Sequence, residues 1–174
     1  MFNDFIRFIG DETLPIANSV KDFLEKYSGV TFLNGLYRIH RIQDISKWNE
    51  IVAEAFPPAK DVVLVFGYDW VGRMFAIFSA TNTVLILEPG TGEAYDTGMN
   101  FETFHNKEIP QNHTSCLMSE YFQEWKEHSN ATLAHNECVG YKVPLFLNGK
   151  DEVENLEISD IEVYWGIMAP LINT

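Results

Sequence analysis

An α+β fold, a mainly antiparallel sheet with helices packed around it, is what this sequence predicts, and three observations predict it. Three apolar runs rich in β-branched and aromatic residues, 62–68, 73–79 and 83–88, follow one another with only short gaps. Each gap carries turn chemistry instead of a helix cap: Gly72, then Asn82, then Pro89-Gly90. On both sides of this meander, apolar residues recur at the spacing of one helical face.

Taken in order, the chain alternates loosely up to Ser19, after which Val20, Phe23, Leu24 and Tyr27 fall at i, i+3, i+4 and i+7 and predict a helix ended by Gly29. Residues 35–40 (GLYRIH) predict a short strand. Asp44 is placed to cap a second helix carrying Ile45, Trp48, Ile51, Val52 and Ala55, stopped by Pro57-Pro58. In the meander, Pro89 presets φ and Gly90 takes the positive φ of a type II turn, which returns the chain at 93–95. Asn100 caps a short helix holding Phe101 and Phe104, and a longer helix over 114–128 carries Leu117, Tyr121, Phe122 and Trp125. Residues 141–147 (YKVPLFL) look extended, with Pro144 confining that strand to an edge, and 154–158 pairs back after the Asn148-Gly149 turn. Ser159 with Glu162 forms a capping box opening a last helix, apolar around much of its girth and so expected in the core.

A length of 174 residues suits one domain, 1–174, with a helical N-terminal region (1–60) and a part holding the sheet and C-terminal helices (61–174). A chain of this size buries roughly 70% of its unfolded surface. Its 25 Asp and Glu against 12 Lys and Arg give a net charge of -13. That excludes nucleic acid as an expected ligand, since phosphates are bound by clustered bases, and it favours encounter with a basic partner protein. The other use of such acidity is solubility. No leading basic segment precedes Asp11 and Glu12, and no apolar run approaches bilayer length, so a cytoplasmic protein with no membrane partner is expected. Cys116 and Cys138 stand far apart outside any CxxC and predict buried free thiols.

Residues that could carry chemistry are scattered. The five histidines form no metal-binding spacing, Gly90-Thr91-Gly92 lacks the third glycine and following helix of a dinucleotide site, and no serine sits in a nucleophile elbow. No catalytic residue, metal or cofactor is expected. Asp69, Glu88, Glu93 and Asp96 near the meander turns could serve a carboxylate-dependent hydrolase only if burial pushed their pKa values apart. Two stretches suit partner binding instead. In 68–73 (YDWVGR), Trp70 and Arg73 are residue types that dominate interfaces; alternatively Trp70 folds over the sheet edge while Asp69 and Arg73 pair across the turn. In 151–162, Asp151, Glu152, Glu154, Glu157, Asp160 and Glu162 give six acids and no base, either a docking patch or a solvated face. Glu93 and Asp96 join the expected contact set.

Several of these stretches together resemble a bacterial family: GLYRIH from Gly35, the Trp48 helix, YDWVGR from Tyr68, EPGTGEAYD from Glu88, NECVGYKVPLFLNGKDEVENLE from Asn136 and DIEVYW from Asp160. The family is the domain of unknown function typified by the C-terminal part of type VI secretion DNase-immunity proteins, often preceded by a GAD-like region. It looks like a relative of the SUKH group. The resemblance implies a SUKH-like α+β fold, no catalytic residues, and an immunity role in which a cognate toxin is neutralised by binding. The competing expectations are a scaffold or regulatory module with a non-toxin partner, and the small hydrolase.

Overall fold

A computed structural model describes residues 1–11 and 13–174. Among them, six strands form one antiparallel sheet in chain order: β1 (Thr31–Phe32), β2 (Tyr37–Ile39), β3 (Val63–Asp69), β4 (Met74–Phe78), β5 (Thr83–Glu88) and β6 (Glu93–Asp96). The meander is as the sequence predicts, and β1 and β2 extend it on one side. Register follows side-chain alternation: Phe75 opposes Ile86 and Ile77 opposes Val84 on one face, while Met74 opposes Leu87 and Ala76 opposes Leu85 on the other. A bulge in β3 between Val65 and Gly67 resets the alternation, so that Val65 and Tyr68 share a face and Phe66 turns to the opposite one.

Each face is covered by helices. The Phe75 face packs against α1 (Asn3–Ile9), α2 (Val20–Lys26), α4 (Phe101–Thr103), α5 (Ile109–Cys116) and α6 (Ser119–Ser129), with a π-helical stretch, Phe104–Glu108, joining α4 to α5. The Met74 face packs against α3 (Ile45–Ala55) and α7 (Ile161–Ile172). These two run in the same direction: Lys47 Nζ meets Glu162 Oε2 at 2.7 Å near their first turns, and Asn173 Nδ2 reaches the Glu54 carbonyl at 3.0 Å beyond their last. A two-stranded sheet of β7 (Glu137–Tyr141) and β8 (Leu156–Asp160) joins the meander where the Val139 N–H donates to the Trp70 carbonyl at 2.7 Å. Both cysteines are buried free thiols, and burial pushes the Cys116 thiol up to about 12.

Local chemistry accounts for several departures from expectation. Helix α1 was not foreseen, although Phe2, Phe5, Ile6 and Ile9 have helical spacing; Phe2 and Phe5 are buried against Phe23 and His105. Asp44 precedes α3 but makes no side-chain cap, because a 3₁₀ turn, Ile42–Asp44, already feeds the helix. The helix expected over 114–128 is divided, with Met118 at φ 52 between α5 and α6. The expected strand over 141–147 lies earlier, as β7, and Pro144 instead opens a 3₁₀ turn, Leu145–Leu147, closed by Asn148 at φ 64. Gly90 does not take the positive φ of the predicted type II turn; Gly92 does, at 73°, and its N–H bonds Glu88 O at 2.9 Å to make a wider turn. Gly90 is needed for space, since a Cβ there would lie 2.6 Å from the Tyr141 ring.

The last helix is not capped by Ser159, which belongs to β8. Asp160 caps it, its Oδ1 accepting from the N–H groups of Glu162 and Val163, both at 3.0 Å. Asp160→Ala is therefore expected to cost about 1 kcal/mol in urea unfolding, against a change near zero for Ser159→Ala. Equal losses would return the cap to Ser159. Helix α7 is also less enclosed than expected: Ile161, Tyr164, Trp165 and Met168 are buried, whereas Val163, Ile167 and Leu171 are exposed.

Candidate functional site

The β3–β4 turn organises a region in which charge is concentrated. Asp69 is fully buried and binds Arg73 through both oxygens: the Arg73 Nε donates to Oδ2 at 2.7 Å and the Arg73 backbone N–H to Oδ1 at 3.0 Å. Burial works against the Arg73 charge, but Asp69 and the buried Glu88 override it and raise the guanidinium pKa. Arg73 Nη2, 2.6 Å from Asp69 Oδ2, also donates to the Cys116 carbonyl at 2.9 Å, and the indole N–H of Trp70 donates to the Leu117 carbonyl at 3.2 Å. Two orphan carbonyls at the end of α5 are satisfied in this way, at the point where the chain breaks toward α6. Trp70, with no exposed surface, packs on Tyr121, Phe122 and Trp125 with ring centroids 5.2–5.9 Å away. His113 Nδ1 lies 2.6 Å from Ser119 Oγ and ties the same corner.

The corner presents α6 to the 150–155 turn across a cleft of about 520 Å³ lined by Glu120, Tyr121, Glu124, Asp151 and Glu152, with Thr114 and Met118. Four carboxylates and no basic side chain line it. Its second wall is fixed by Tyr141, whose hydroxyl donates to Asp151 Oδ1 at 2.8 Å, and by Asn155 Nδ2, which donates to the Lys150 and Val143 carbonyls, each at 2.8 Å. Lys150 stands at the exposed rim, 3.4 Å from Glu152. The Tyr121 hydroxyl is buried and has no hydrogen-bond partner among the described residues. Burial, then the negative charges of Asp151, Glu124, Glu154 and Glu152, raise its pKa.

The expected contact residues divide accordingly. Asp69, Trp70 and Arg73 are inside, paired with one another and with α5, and buried side chains offer no surface to a partner; of the two alternatives for YDWVGR, the intramolecular one holds. Their part in the site is to position it. Asp151 and Glu152 are exposed at the cleft, and Glu154 is exposed on the turn beyond it. Glu157 is exposed on β8, and Glu93 and Asp96 are exposed on the edge strand β6, where Glu93 accepts from Tyr95 and Asp96 from the Gly98 N–H at 2.9 Å. Glu120, Tyr121 and Glu124, which line the cleft, were not singled out in the sequence, since Tyr121 fits the apolar stripe of α6 and isolated helix acids carry no signal. The four carboxylates of the hydrolase alternative are split, Asp69 and Glu88 buried and Glu93 and Asp96 in solvent. Among the described residues no group of three or more His, Cys, Asp and Glu could hold a metal ion, and no helix is long and apolar enough to cross a membrane.

Comparisons with known proteins agree with this architecture. Residues 99–171, which include the whole lining of the cleft and most of α7, match the family described as T6SS immunity protein Tdi1, C-terminal. The resemblance drawn from the sequence is supported over that segment. The crystal structure of Atu4351 from Agrobacterium tumefaciens is similar in fold, with a TM-score of 0.63 over 97% of this chain and 88% of the other at 15% identity. No curated protein matches the chain.

Proposed function

We propose that this chain, whose residues 99–171 match the type VI secretion immunity family, is itself an immunity protein acting in the cytoplasm, neutralising a cognate toxin by direct binding. The observation that carries the binding mode is the cleft walled by Glu120, Glu124, Asp151 and Glu152 with no base in its lining. An open groove lined by four carboxylates attracts lysine and arginine side chains, so the partner's contact surface is basic. A nuclease suits that description, because the groove that holds a phosphate backbone must itself be basic.

The test is titration of the toxin encoded beside this chain. Loss of toxin activity near equimolar ratio, with a complex recovered, is the expected result; persistent activity without a complex overturns the proposal. The cleft has its own prediction. Glu120→Lys with Glu124→Lys changes two exposed side chains of α6 and is expected to slow association about tenfold or more at low salt and to weaken its salt dependence. Stopped-flow association measured at two ionic strengths checks this, and an unchanged on-rate removes the cleft from the interface.

A further inference from the structure

Strand β3 is longer than the neighbour that covers one of its edges. Strand β2 pairs with 67–69, the His40 N–H donates to the Phe66 carbonyl at 3.0 Å, and the chain then leaves for the 3₁₀ turn before α3. Residues 63–65 therefore have β4 on one side and no strand on the other. Backbone groups alternate between the two sides of a strand, and the Ser79 N–H, which donates to the Val62 carbonyl at 2.9 Å, sets the phase. Val62 and Leu64 turn their backbone groups toward β4, while Val63 and Val65 turn theirs to the open edge. There the Val65 N–H donates to Asn49 Oδ1 at 2.8 Å. The N–H and C=O of Val63 and the C=O of Val65 face outward with no strand beside them.

That edge borders a groove of about 590 Å³. Its long wall is one stripe of α3, Ser46, Asn49, Glu50, Ala53 and Glu54, in which Ser46 and Ala53 leave room beside the strand. Lys60 and Asp61 lie at the end where β3 begins. The lining thus holds three carboxylates and one ammonium, all on exposed residues, and none of the four makes an ion pair among the described residues. Only Ala53 and Val63 are apolar, which does not suit a small organic ligand, whose pockets are mostly apolar. Sheets cover or blunt an edge that is not to be paired. Asn49 blunts one donor here, and the groove leaves space beside the rest. The unpaired donor and acceptors select an extended backbone, and the acids select lysine or arginine on it. A second copy meeting groove to groove would set Glu50, Glu54 and Asp61 against themselves.

We propose that the α3 groove takes an extended segment of a partner protein, which adds a short strand beside 63–65 and carries lysine or arginine against Glu50, Glu54 and Asp61. The backbone bonds to Val63 and Val65 hold the segment in register, while the acids set its orientation and the rate of encounter. For the identity of that partner, the cognate toxin, the inference rests on the immunity reading; the groove itself does not. Helices α3 and α6 cover opposite faces of the sheet, so a toxin seated in the acidic cleft reaches the groove with a segment that extends from its body.

The experiment follows single amides by NMR exchange in the chain alone and in complex with the purified toxin, and compares wild type with Ala53→Trp and a Glu50→Lys/Glu54→Lys double variant. The Val63 amide is expected to exchange freely in the chain alone and about tenfold or more slower in the complex, whereas the Val65 amide, bonded to Asn49, is slow in both. Ala53 borders open space, so Ala53→Trp is expected to melt with wild type while it plugs the groove and raises Kd about tenfold or more. The double variant changes only exposed side chains and is expected to slow association at low salt. If Ala53→Trp melts early, the double variant and the Val63 amide decide the matter. A Val63 amide as slow as that of Val65 in the chain alone means an edge already closed and overturns the inference. A bound, neutralised toxin that leaves the Val63 amide unprotected overturns the groove and leaves the immunity reading standing. A wild-type chain that neither binds nor neutralises the toxin overturns both. Protection of Val63 that grows with the concentration of the chain alone, as a dimer forms, assigns the edge to a second copy and overturns the inference.

Discussion

Arg73→Ala is expected to destabilise the fold by about 3–5 kcal/mol, the loss typical when one partner of a buried ion pair is removed and the other remains. The reason lies in the burial of the Asp69 carboxylate, which has no exposed surface and would keep hydrogen bonds from the Arg73 and Val71 backbone N–H groups but no countercharge. The Cys116 carbonyl would lose its donor as well. Urea unfolding measures the total, and amide exchange over 117–122 locates it, since the corner between α5 and α6 depends on this contact. A double variant, Asp69→Leu with Arg73→Met, removes both charges and is expected to lose less than the sum of the single variants, because no uncompensated charge stays behind. A loss below about 1 kcal/mol for Arg73→Ala would mean that the corner holds without the ion pair.

Acid is expected to weaken the protein well before its carboxylates are exhausted. His105 is fully buried among Phe2, Phe5, Phe23 and Phe101, with ring centroids 4.1–6.0 Å away. Its Nδ1 donates to the Phe101 carbonyl at 2.8 Å, which leaves Nε2 to accept from the Tyr37 hydroxyl at 3.0 Å. Burial lowers its pKa from 6.5 to about 3. Between those values the unfolded chain binds a proton that the folded chain refuses. The stabilisation is therefore complete above pH 6.5 and is lost as pH falls toward 3, with a slope of up to about 1.4 kcal/mol per pH unit. His40, buried between Trp48 and Tyr68, is shifted in the same direction by burial and then by His135 and Lys47. Glu88 opposes them, since burial raises its pKa and its proton favours the folded state.

The contribution of His105 is isolated by difference. His105→Leu is expected to cost about 1–3 kcal/mol at pH 7, where the Tyr37 hydroxyl is left buried without a partner, and to flatten the stability profile between pH 4 and 6.5. Unfolding curves at half-unit pH intervals test this. A profile of unchanged slope would place the acid sensitivity at His40 or among the carboxylates.

What could be read in advance was what local rules control. The meander was legible because period-two runs and turn residues are written contiguously, and the helix after Ser19 because Val20, Phe23, Leu24 and Tyr27 fall on one helical face; the Ser19 cap on the Asp22 N–H, at 3.0 Å, was seen only in the structure. Asp151, Glu152 and Glu154 were legible as a density of charge. The other wall of the cleft was not, because Glu120 and Glu124 matter only after Trp70 and Arg73, more than 40 residues earlier in the chain, take hold of the end of α5. YDWVGR drew attention correctly and for a different reason, since a surface anchor and a buried clamp use the same residue types. Met118 in a left-handed conformation has no local signature at all.

The chain-order arrangement of the sheet bears on how the protein is made. Every neighbouring pair of strands is consecutive in sequence, from β1 to β6, so each strand can dock on one already synthesised and no closure waits on a distant segment. The exception in timing is the cover of the Met74 face: α3 is made before the meander, but α7 is made well after it, and until α7 leaves the ribosome Met74 and Leu87 lack the Trp165 and Met168 that complete their side of the core. That side of the sheet is therefore sealed only after the sheet itself is complete. A chain stalled before α7 would carry a finished sheet with one face covered only in part, by α3, a form prone to aggregation and readily recognised by chaperones and proteases.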